Sequence, residues 1–156
     1  MSKQQVFRGA LIAGIVFTLL MAVVLIVWRR MLWGDVYIEQ GFFGFTEPSR
    51  FLLIAGLGTY FLTGTFFAML YGHIRAVAGK VSTLRIAMMF AVIYWVSANL
   101  GYIGRVPLDN PGLFLLLEGV SDVIVFGAFA LVLKVVFQST PDAAAQPGQA
   151  VDVGSV

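Results

Sequence analysis

Cysteine is absent from the chain, which excludes disulfides, thiolate nucleophiles, cysteine-ligated zinc and iron–sulfur clusters together. Charge is scarce as well: Asp, Glu, Lys and Arg make up 12% of the 156 residues, about half the share usual in soluble domains. The basic residues are scattered and the formal net charge is only +2. With no stripe of Lys and Arg to hold a phosphate backbone, no nucleic-acid partner is expected. The one histidine, His73, cannot alone make a bis-histidine haem or a histidine-rich metal site. A glycine-rich nucleotide fingerprint is missing too, because Gly56 and Gly58 are followed by Phe61 where a third glycine would fall. No metal, no cofactor and no catalytic constellation is therefore expected.

What remains is apolar. Hydrophobic residues reach 60% and the mean hydropathy is +0.92, so the solvent of this fold is expected to be lipid. Four windows, about 9–28, 51–71, 84–104 and 113–137, match the length of about 20 residues that a membrane crossing needs. The first begins after Lys3 and Arg8 in the manner of a signal peptide, but it is too long and ends in Trp28-Arg29-Arg30, so it is expected to be retained. Short connections between the later windows predict an all-α, up-down-up-down bundle of four transmembrane helices over residues 1–137. The remainder, 138–156, mixes Ala, Gln, Pro, Gly and Ser without aromatics and is expected to be a disordered tail.

Four crossings put both termini on one side. That side carries Lys3, Arg8, Arg75, Lys80, Arg85 and Lys134, against Arg29, Arg30, Arg50 and Arg105 on the other, which predicts both termini in the cytoplasm. Within the bundle, small residues at every fourth position let helices approach closely. Ala10, Gly14, Thr18 and Ala22 form such a stripe, Gly56, Gly64 and Ala68 repeat it around Tyr60, and Gly119 and Gly127 offer a third. Tight packing within the chain is the first reading of these stripes and a homo-oligomer the second.

Two acids stand out. Glu118 and Asp122 lie one turn apart in the fourth window, where a central acidic residue costs about 2.5–3.5 kcal/mol unless it finds a cation, a proton or a wet cavity. Depth along each window, at about 1.5 Å per residue, puts Asp122 level with Thr59, Tyr60, Thr63 and Tyr94, and Glu118 level with Asn99 and Tyr102, below Arg105. These residues are the predicted polar network, with Arg105 the expected neutraliser of Glu118. A second cluster, Trp33, Tyr37, Phe42, Phe43 and Phe45, is too aromatic for a solvated loop; it suits the membrane interface or contact with a partner.

The sequence thus predicts an integral membrane protein that is a non-catalytic subunit or an assembly and stabilising factor of a larger membrane protein complex. The alternative is a small proton- or cation-coupled transporter that uses the intramembrane carboxylates. A membrane enzyme or binder acting on lipid or quinone is the third reading.

Overall fold

The computed structural model describes residues 2–39, 50–78, 81–104 and 108–138. Nearly all of them are helical. Helix α1 (Lys3–Val24) runs on through a π-helical stretch, Leu25–Leu32, and is followed by the short α2 (Gly34–Glu39) and the long α3 (Arg50–Ala78). Helix α4 (Thr83–Trp95) passes through a second π-helical stretch, Val96–Leu100, into a single turn, α5 (Gly101–Ile103), and α6 (Pro111–Gln138) completes the order. Four continuous segments, Lys3–Leu32, Leu53–Ala78, Thr83–Ile103 and Pro111–Phe137, are long and apolar enough to cross a membrane. Among the described residues there is no strand.

The helix starts are set by capping side chains. Ser2 accepts from Gln5 N at 3.2 Å while Gln5 Oε1 accepts from Ser2 N at 2.8 Å, a reciprocal box that satisfies two otherwise orphaned donors and starts α1 well before the apolar window. Ser82 caps α4 through Arg85 N. Asn110 Oδ1 accepts from Leu113 N at 3.0 Å, and Pro111 takes the first helical position, where its missing N–H costs nothing. Pro111 and Gly112 therefore belong to the first turn of α6.

Helix α1 packs against α3 and α6, and α4 packs against α6. Glycine makes the α1–α3 seam possible: a Cβ at Gly14 would lie 3.0 Å from Phe61 O and 3.1 Å from Thr65 N, and one at Gly64 would meet Phe17 Cβ at 2.5 Å. Farther along, Gly72 takes Val6 against it, so the two helices run in opposite senses. Gly56 and Gly127 face open space and take no part in a seam. Aromatic rings fill the centre, with Phe17 edge-on to Phe126 and Phe129 at centroid distances of 5.3 and 4.9 Å, and Phe67 stacked on Phe90 at 4.6 Å. A smaller core of Tyr37, Phe114 and Leu117 forms where α2 folds over the start of α6.

The outer surface inverts the arrangement of a soluble domain. Large apolar side chains are exposed on every long helix, among them Leu19, Leu62, Val92 and Leu131, while the polar side chains Asn99, Glu118, Ser121 and Asp122 are buried.

Candidate functional site: a buried polar cluster

Glu118 is 2% exposed and has two partners from outside its own helix. Arg29 Nη2 donates to Glu118 Oε2 in a salt bridge, and the Tyr37 hydroxyl donates to Glu118 Oε1 at 2.6 Å. The Arg29 guanidinium lies 6.0 Å from the Tyr37 ring centroid, within reach of cation–π attraction. Burial, and then the neighbouring Glu118 charge, push the Tyr37 phenol above its ordinary pKa, so it serves as a neutral donor. Ser121 Oγ donates to the Glu118 carbonyl at 2.9 Å.

The π-helical stretch explains why Arg29 reaches the interior. Buried positions 10, 13, 14, 17 and 21 define the inward face of α1. On an unbroken α-helix position 28 would continue that face, and position 29 would be turned aside by about 100°. The wider π turn, closed by Trp33 N donating to Trp28 O at 3.1 Å, delays the rotation by one residue and swings Arg29 inward. The same device acts on α4: after Ala87 and Ala91 the α repeat would bury Ala98, yet Ala98 is exposed and Asn99, in the second π-helical stretch, is buried. Each π-helical stretch thus contributes one polar side chain to the cluster, in keeping with the concentration of such stretches at functional sites.

Asp122, 2% exposed, lies one turn beyond Glu118. Asn99 is beside it, but neither Asp122 Oδ2 nor Asn99 Nδ2 completes a hydrogen bond. The nearby cation, Arg29, is already bonded to Glu118. Tyr60 from α3 and Tyr94 from α4 both interact electrostatically with Asp122. Tyr94 also lines a groove of about 450 Å³ on the outer surface between α3 and α4, with Leu62, Thr63, Phe66, Ile93 and Ser97.

The predicted network is therefore assembled in part. Asn99, Tyr60, Tyr94, Glu118 and Asp122 come together, and Thr63 sits at the groove next to Tyr94. Thr59 is exposed and spends its hydroxyl on Ala55 O at 2.9 Å, outside the layer that depth alone assigned to it. Tyr102 stacks on Phe114 at 5.4 Å. Glu118 takes its cation from Arg29; Arg105, expected in that role, lies outside the described residues, as do Phe42, Phe43 and Phe45. Of the aromatic cluster, Trp33 is 38% exposed, whereas Tyr37 is buried against Glu118. Sequence reasoning missed Arg29 because a basic doublet at a helix end reads as an interfacial anchor. It also missed Trp95, whose Nε1 donates to Leu115 O at 3.1 Å across the space left open by Gly119.

Comparison of the chain with protein-family models, with curated proteins and with solved structures gave no match.

Proposed function

We propose that the chain is a multi-pass integral membrane protein, an up-down-up-down bundle with both termini in the cytoplasm, acting as a non-catalytic subunit or stabilising factor of a larger membrane complex. The observation that carries this reading is the internal use of Glu118. Its charge is taken up by Arg29 from the π-helical stretch that continues α1 and its second oxygen by Tyr37 of α2, so the acid braces three segments. The apolar side chains exposed on every long helix supply surface for lipid and for partner helices, where van der Waals packing governs association. Gentle extraction of the tagged chain from its own membrane, followed by mass spectrometry, tests the proposal. A large partner at fixed stoichiometry supports it, and a lone monomer or homo-oligomer counts against it.

One observation favours a second reading, a proton- or cation-coupled carrier: Asp122 Oδ2 is buried without a hydrogen bond, and unpaired intramembrane acids mark ion pathways. Asp122→Asn separates the two. A subunit keeps its partner with the amide in place, while a carrier loses flux with expression unchanged.

A further inference from the structure

We propose that Asp122 anchors the ammonium head of a small lipophilic amine, which enters from the bilayer through the groove between α3 and α4. The inference deepens the carrier reading, on which transport rests but binding does not. Charge comes first. Arg29, Glu118 and Asp122 are the ionisable acids and base of the cluster, and with Arg29 bonded to Glu118 the second carboxylate feels that cation only at longer range and makes no salt bridge among the described residues. A desolvated carboxylate is costly without one.

The surroundings narrow the class of ligand. A hard metal ion takes about six or more oxygen ligands, and no three His, Asp or Glu side chains gather among the described residues. An ammonium asks for less: one carboxylate oxygen and aromatic faces. Asp122 Oδ2 is an acceptor still open, Tyr60 and Tyr94 are its aromatic neighbours, and the Asn99 amide beside it can turn its oxygen toward a donor. A molecule with a hydroxyl head would meet the hydrogen-bonding need and leave the charge uncompensated.

The route is set by Tyr94, which faces the groove and also interacts with Asp122. Leu62, Phe66 and Ile93 make the groove apolar, and Thr63 and Ser97 add hydroxyls beside Tyr94. Its volume of about 450 Å³ falls within the range of about 300–1,000 Å³ typical of small-molecule sites. The occupant is therefore apolar in its body and cationic at its head.

The test uses the full chain in lipid nanodiscs and three photoreactive probes with the same diazirine-bearing alkyl chain: a primary amine, the corresponding alcohol and the unsubstituted alkane. After irradiation, adducts are mapped by peptide mass spectrometry. The amine is expected to label residues 62–67 and 93–98 roughly tenfold more than the alcohol or the alkane, the size expected for a buried charge pair. Asp122→Asn should reduce amine labelling to the level of the alcohol while elution and melting behaviour stay those of the parent. If that variant fails to fold, Ser97→Phe, which fills the groove from its surface, is expected to give the same loss. Equal labelling by amine and alcohol, or amine labelling that survives whichever of these variants folds, would overturn the proposal. Flux that depends on Asp122 without selective amine labelling would leave the carrier reading standing and remove the amine alone. Copurification of a partner bears on the subunit reading and on neither of these.

Discussion

Replacing Arg29 with Met strands Glu118 in an interior without its cation, and breaking a buried pair on one side costs about 3–5 kcal/mol. Replacing both members, Arg29→Met with Glu118→Leu, removes the stranded charge, so the double variant is expected to melt above either single variant in detergent. Tyr37→Phe withdraws the donor from Glu118 Oε1, a hydrogen bond to a charged group worth about 1.5–3 kcal/mol. Tyr37 also carries a pH signature. Its phenol is raised by burial and by Glu118, so the folded state holds that proton more tightly than the unfolded chain, where a tyrosine titrates near about 10. The stabilisation is complete below that value and is lost as pH rises above it. Melting temperature measured against pH should therefore fall more steeply above pH ~10 in the parent than in Tyr37→Phe. At this scale the sequence showed Glu118 and Asp122, because acids are conspicuous in an apolar run. It did not show their partners, because partner choice depends on helix rotation, and one added residue per turn in Leu25–Leu32 was enough to bring Arg29 inward beside Trp28.

Glycines separate into those that hold helices together and those that do not. At Gly14 the nearest atoms to an added Cβ include the backbone of α3, so Gly14→Val cannot be accommodated by a side-chain shift and is expected to cost about 1–3 kcal/mol by overpacking. Gly127 has nothing within 4 Å, and Gly127→Ala is expected to be neutral or to stabilise by up to about 1 kcal/mol. Unfolding of the two variants in mixed micelles tests this contrast. The four long helices were legible because hydropathy over about 20 residues outweighs every local signal. Their ends were less so. Ser2, Ser82 and Asn110 extend or fix helix starts by capping, and Pro111 reads as a turn or as a first helical residue according to whether the preceding side chain caps it. Small-residue spacing identified Gly14 and Gly64 correctly but also selected Gly56 and Gly127, since spacing alone does not say which stripe has a neighbour.

For the whole molecule the native absence of cysteine makes sidedness simple to measure, because any introduced thiol is the only one present. With the proposed orientation, Asp109→Cys should react with an impermeant maleimide in intact cells, and Lys3→Cys only after permeabilisation. Reversed reactivity would invert the topology without disturbing the packing described here. The pattern of contacts bears on mechanics. Helix α1 is closely packed on α3, and α4 on α6, where the Trp95 indole bolts it to the Leu115 carbonyl. Between these two pairs runs the α1–α6 seam, and α3 touches α6 only slightly. Arg29 and Glu118 sit on opposite sides of that seam. The salt bridge accordingly ties the end of the first apolar segment to α6 across that seam, and any parting of the two helices at this end has to break it.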